Sequence, residues 1–65
     1  MKTLKFYLDN EEVEAGTMVD FEDGEEALVD SVDYETKEIS LQFGEDAPVQ
    51  THQFSEYEND KVDIN

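Results

Sequence analysis

Residues 17–43, Thr-Met-Val-Asp-Phe-Glu-Asp-Gly-Glu-Glu-Ala-Leu-Val-Asp-Ser-Val-Asp-Tyr-Glu-Thr-Lys-Glu-Ile-Ser-Leu-Gln-Phe, decide the fold. Val19 and Phe21 alternate with Asp20 and Glu22, the period-two pattern of a strand with one buried face. Asp23 and Gly24 follow, and both tolerate the positive φ that a tight hairpin turn imposes. A return strand is expected from about Glu25, with Ala27, Val29 and Val32 as its apolar positions. These change phase between Val29 and Val32, which a regular strand cannot bury on one face. A β-bulge near Asp30 and Ser31 restores the phase and bends the strand. Residues 33–36, Asp-Tyr-Glu-Thr, read as the next turn. In residues 37–43 Ile39, Leu41 and Phe43 then face inward, against Glu38, Ser40 and Gln42 outward. Three consecutive strands make a meander.

Outward from this centre the pattern thins. Residues 3–8, Thr-Leu-Lys-Phe-Tyr-Leu, are dense in β-formers and place Leu4, Phe6 and Leu8 on one side of a period-two ladder. Residues 9–15 form an acidic connection with Val13 as its apolar anchor, ending at Gly16. Residues 44–48 are a loop, and residues 49–54 a further strand that Pro48 opens, where a missing backbone donor is tolerated. From Ser55 the tail is acidic, with isolated Tyr57, Val62 and Ile64, and either packs as a short closing strand or frays. Apolar residues never recur at helical spacing long enough to predict a helix. Residues 1–65 therefore read as a single acidic all-β domain, a small strongly bent antiparallel sheet or a five-stranded barrel.

Residues 13–43 resemble the central hairpins of small SH3-like barrels of the Tudor and KOW type. The matching pieces are Gly16 before the strand of Val19 and Phe21, Asp23 and Gly24 at the turn, Val29 and Val32 in the bent strand, Asp33 at the next turn, and Ile39, Leu41 and Phe43 beyond it. For Tudor-like relatives the resemblance implies an aromatic cage for methylated Lys or Arg. Phe21, Tyr34 and Phe43 would have to form it here, although the alternation wants Phe21 and Phe43 in the core. For KOW-like relatives it implies RNA, ribosomal or polymerase surfaces, and the charge of this chain opposes the nucleic acid among them. What the resemblance lends is an SH3-like architecture.

The charge is the loudest feature of the composition. Nineteen Asp or Glu residues face four Lys, no Arg and one His, for a formal net charge of -15 at pH 7. Lys2, Lys5, Lys37 and Lys61 are scattered, so no basic patch exists to neutralise phosphates or an anionic membrane. The chain has no Cys, and His52 is the one candidate nitrogen ligand, which removes zinc and thiol redox chemistry. No apolar run approaches the roughly 20 residues that cross a bilayer, so a cytoplasmic protein is expected.

Catalytic and metal sites find little support. No Cys nucleophile, Ser-His motif or glycine-rich phosphate loop occurs, and Ser31, Ser40 and Ser55 read as turn or surface residues. Carboxylate pairs are inevitable among so many acids, but general acid-base work needs two of them in a cleft with separated pKa values. Residues 20–26 crowd oxygen ligands around a turn, yet they lack the glycine and the bidentate Glu of an EF-hand loop in register. No cofactor, metal ligand or catalytic residue is assigned, and His52 is expected as a surface or edge histidine.

The acids themselves carry the functional expectation. Side chains on one face of a strand recur at about 6.6 Å, twice the roughly 3.4 Å axial rise per phosphate of a DNA strand. Asp20, Glu22, Asp23, Glu25, Glu26 and Glu38 are expected to form an array that imitates phosphates and binds a basic protein surface. Such a decoy is similar in size and charge to phage or mobile-element inhibitors of nucleases, restriction enzymes, CRISPR effectors and polymerases. Two other readings stand beside it. One is a constitutive SH3-like accessory module on a basic ribosomal or polymerase surface. The other is a halophile-type acidic domain with no charge-specific partner.

Overall fold

The computed structural model describes residues 1–65. The chain runs β1 (Lys2–Thr3), α1 (Leu4–Asp9), β2 (Met18–Phe21), β3 (Glu26–Asp33), β4 (Glu38–Gln42), β5 (Gln50–Gln53), α2 (Phe54–Tyr57) and β6 (Lys61–Ile64). All six strands join one antiparallel sheet in the order β1-β6-β2-β3-β4-β5. The expected all-β fold is present, with six strands where the barrel alternative supposed five.

The meander follows the sequence closely. Val29 pairs with Leu41 but Ser31 pairs with Ser40, so Asp30 is the extra residue of a bulge at the place where the apolar phase changes. Before the bulge Ala27 and Val29 are buried; after it Val32 turns its partly buried side chain to the same core. Ile39 and Leu41 lie opposite them on β4, fully enclosed. Asp33 Oδ1 accepts the Glu35 and Thr36 amides at 2.9 and 3.2 Å, and Lys37 closes that turn at φ 60°.

Residues 3–8 are not a strand. Thr3 ends the two-residue β1, and its Oγ1 accepts the Phe6 amide at 3.3 Å, capping α1. Leu4 and Leu8, four residues apart, share the buried face of this one-and-a-half-turn helix. Phe6 rotates to solvent at 41% exposure, where Lys2 Nζ lies 4.3 Å from its ring centroid. Lys5 and Asp9 bridge the same helix at 3.1 Å.

The tail packs rather than fraying. After the single turn of α2, β6 inserts between β1 and β2, pairing Val62 with both Lys2 and Phe21. Val62 is fully buried, in one core cluster with Leu4, Leu8, Val13, Val19, Phe21, Ala27, Val29, Ile39, Leu41 and Phe54. Strands two places apart in the sheet thus meet around the same interior, which requires the sheet to curl. Tyr34 pins the acidic connection to this body. Its hydroxyl donates to the Val13 carbonyl at 2.6 Å and accepts the Val13 amide at 3.2 Å, and burial raises its pKa above the ordinary tyrosine value. No helix is long and apolar enough to cross a membrane.

Deleting residues 61–65 removes a central strand rather than an appendage, so the shortened chain is expected to lose cooperative unfolding and its dispersed amide spectrum. A truncated chain that kept both would contradict this placement.

Candidate functional site

The hairpin joining β2 and β3 presents three of the expected acids. Phe21 donates its amide to the Glu25 carbonyl at 2.7 Å and accepts the Gly24 amide at 3.0 Å, leaving Glu22, Asp23 and Gly24 as a three-residue loop. Gly24, at φ 95°, takes the left-handed position that side chains resist. Asp23 keeps a negative φ, and its Oδ1 accepts the Glu25 amide at 3.0 Å, locking the turn from the side. Glu22, Asp23 and Glu25 project into solvent from this rigid base.

Facing the hairpin is the turn between α2 and β6. The Glu22 amide donates to the Lys61 carbonyl at 3.1 Å, and the two turns enclose a cleft of about 530 Å³ lined by Phe21, Glu22, Asp23, Glu25, Tyr57, Asp60 and Lys61. Its floor is aromatic: Phe21 and Tyr57 rings lie 5.8 Å apart, with Phe43 behind them at 5.9 and 6.2 Å. The phenol of Tyr57 is raised above its ordinary pKa, first by burial and then by the negative charges of Glu56, Asp60 and Glu25.

On the outer face of the sheet the registers build a row. Asp20 stands opposite Asp63 on β6 and opposite Glu26 on β3, so three carboxylates lie side by side on adjacent strands. Cross-strand neighbours sit about 5 Å apart, and like charges directly opposite are destabilising. Little offsets them. Asn65 Nδ2 donates to Asp20 Oδ2 at 2.9 Å, and the Met1 amine is 3.9 Å from Asp63. Beyond Glu26 the row continues into a hollow of about 310 Å³ that includes Glu45.

Five of the six expected residues, Asp20, Glu22, Asp23, Glu25 and Glu26, therefore gather at one end of the sheet. Glu38 does not join them. It pairs with Asp33 at the far end of β3, about 23 Å along the strand from Glu26, and its carboxylate accepts from Gln53 at 3.5 Å. Asp60, Asp63, Tyr57 and Lys61 belong to the site and were not expected there. Only the alternation of Val62 and Ile64 hinted that this tail carries a strand. The lysines are segregated too: Lys5 and Lys37 line a separate hollow with Asp9, and Lys2 covers Phe6 on α1. Lys61 is the one lysine at the acidic cleft.

Phe21, Tyr34 and Phe43 do not converge on a cage. Phe21 and Phe43 stack, while Tyr34 packs against Phe54 at 5.8 Å. His52 meets the expectation of an edge position but not of a surface one. It lies on the edge strand β5, but its side chain points inward, 15% exposed, edge-on to the Tyr57 ring at 5.0 Å. Its Nδ1 meets Glu56 Oε1 at 3.3 Å and its Nε2 is buried without a partner. Glu56 is held below the usual carboxylate range by the Gln53 amide, which donates to it at 2.7 Å, and by the His52 contact. No cluster of three or more metal-ligating side chains is present.

Compared with protein families, curated proteins and solved structures, the chain matches none of them. The meaning of the site rests on its geometry.

Two outcomes follow from that geometry. Asp20→Asn relieves the carboxylate row and is expected to raise stability in denaturant unfolding by about 0.5 kcal/mol at low ionic strength, a gain that fades in high salt; a loss of stability would contradict the row. In an ultraviolet titration, Glu25→Gln combined with Asp60→Asn is expected to lower the Tyr57 pKa, and an unchanged value would place those carboxylates away from the cleft.

Proposed function

We propose that this chain is a non-enzymatic interaction protein whose β2–β3 end binds a basic, nucleic-acid-binding protein surface in place of phosphates. The observation that carries this reading is the row Asp63, Asp20 and Glu26, with Glu22, Asp23, Glu25 and Asp60 beside it. A fold that sets like charges directly opposite one another costs stability in isolation. A partner rich in Lys and Arg removes that cost on binding. The segregation of Lys2, Lys5 and Lys37 away from the row supports a polarised surface over an evenly acidic one.

Mechanistically, the field of the acidic end steers encounter, and the contact is then made by charge-assisted hydrogen bonds. The cleft suits an arginine side chain. Its guanidinium can lie over the Phe21 and Tyr57 rings while Glu22, Glu25 or Asp60 accept its N–H groups. The SH3-like architecture suggested by residues 13–43 stays part of this reading, and the bent meander of β2, β3 and β4 is what supports it. In the cell such a protein would act in the cytoplasm, as a phage or mobile-element inhibitor of a nuclease, restriction enzyme, CRISPR effector or polymerase.

The test is capture from cell lysate by immobilised protein at about 50 and 200 mM salt, with mass-spectrometric identification. Nucleic-acid-binding proteins are expected at low salt and at least about tenfold less at the higher one. A variant neutral at Asp20, Glu22, Asp23, Glu25 and Glu26 should capture none of them. Equal capture at both salts, or by the variant, contradicts the reading. A housekeeping complex that keeps full activity when bound would assign the constitutive docking role instead.

A further inference from the structure

The sheet ends differently on its two sides. At one edge β1 has two residues and turns directly into α1, so little backbone is left open. At the other edge β5 pairs with β4 alone. The direction of each β5 backbone group follows from one bond: the Phe54 amide donates to the Lys37 carbonyl at 2.8 Å. In an antiparallel ladder alternate residues point the same way, so Gln50, His52 and Phe54 face β4 while Val49, Thr51 and Gln53 face outward. The side chains agree. Ser40 and Thr51 form a pair without ladder bonds, and their hydroxyls meet at 2.8 Å.

Of the outward groups, the Gln53 amide is already taken by Glu56, which closes the edge at that end. The N–H and C=O of Thr51 and of Val49 have no partner, whereas the C=O of Gln53, the N-cap of α2, starts the bonds of that helix. Val49 is also 46% exposed, and Gln50, Thr51 and Gln53 are exposed. β5 itself carries no lysine, and Lys37 reaches only its Gln53–Phe54 end, whereas natural sheets commonly protect open edges along their length.

We propose that the outer edge of β5 accepts an extended segment of a basic partner as an added strand, centred on the paired N–H and C=O of Thr51. The charges flanking the edge select the occupant. Asp46 precedes β5, and Glu56 and Glu38 stand with Lys37 at its end, so carboxylates outnumber the one cation there and an extended segment with Lys or Arg at its ends is favoured over an acidic one. Four residues of β5 span about 13 Å, which sets the stretch between those basic ends. A second copy of this chain, carrying -15, would meet repulsion at the same places. The basic nature of the occupant rests on the function proposed above; the open edge does not.

The test uses the isotope-labelled full chain and two synthetic peptides of equal charge, Lys-Lys-Val-Thr-Val-Thr-Val-Lys-Lys and its counterpart with proline at each valine. The valine peptide is expected to shift the Val49, Thr51 and Gln53 resonances and to slow exchange of the Thr51 amide with solvent. The proline peptide should shift only residues 22–26. Thr51→Pro, which removes an outward donor and no β4 bond, should weaken the valine peptide about tenfold. If that variant disturbs the sheet, chemical synthesis with an N-methyl group on Thr51 deletes the same donor. Equal affinity for both peptides, an unprotected Thr51 amide, or self-association through Thr51 without peptide would each overturn the added strand. Shifts confined to residues 22–26 with both peptides would do so while leaving the charge-based function standing; no shift anywhere would count against both.

Discussion

The insertion of β6 between β1 and β2 is the contact on which the rest of the molecule depends. It buries Val62 among side chains drawn from both halves of the chain and ties the first strand to the meander. The same pairing sets Asp63 beside Asp20 and carries the α2–β6 turn, with Tyr57 and Asp60, against the β2–β3 hairpin. One strand therefore closes the core and completes the acidic end. A chain of this size, with no disulfide to reinforce it, has few other means of holding its termini.

Packing and charge pull against each other at that end. The core is made of ordinary β-sheet packing, with the Phe21, Phe43 and Tyr57 rings forming its lip at the cleft. Above it, carboxylates stand opposite carboxylates with one amide side chain and a chain terminus as their closest relief. Interaction surfaces tolerate such conflict because the partner resolves it. Under the proposed function, the aromatic floor would add something that charge alone lacks: a place for a cation to meet ring faces as well as carboxylates.

Much of the meander was legible in the sequence because its signals are local. The phase change between Val29 and Val32 located the bulge, and Asp23-Gly24 located the hairpin, although its loop has three residues and only Gly24 is left-handed. The first segment is ambiguous in the sequence for a specific reason. Leu4 and Leu8 are four apart, a spacing that satisfies a strand's period of two and a helix's shared face alike. Phe6 tipped the reading toward a strand, while the cap supplied by Thr3 decided for a helix. The candidate site was half legible. Its hairpin acids were visible as a run, but Asp60 and Asp63 join them through a pairing some forty residues long in sequence, which no local pattern encodes. Glu38 has the outward position expected of it and lies at the wrong end of the sheet. The inward turn of His52 was hidden because its neighbours Thr51 and Gln53 are polar, whereas it is the parity of β5 against Ile39 that directs its ring to Tyr57.

The most direct measurement is competition on a captured target. Fluorescence anisotropy of labelled DNA bound to that target, titrated with this chain, reports whether protein and nucleic acid occupy one surface. The expected result is release of the DNA, with its apparent Kd rising in proportion to the added chain and the effect weakening as salt rises. A stable ternary complex with unchanged DNA affinity would contradict the central claim.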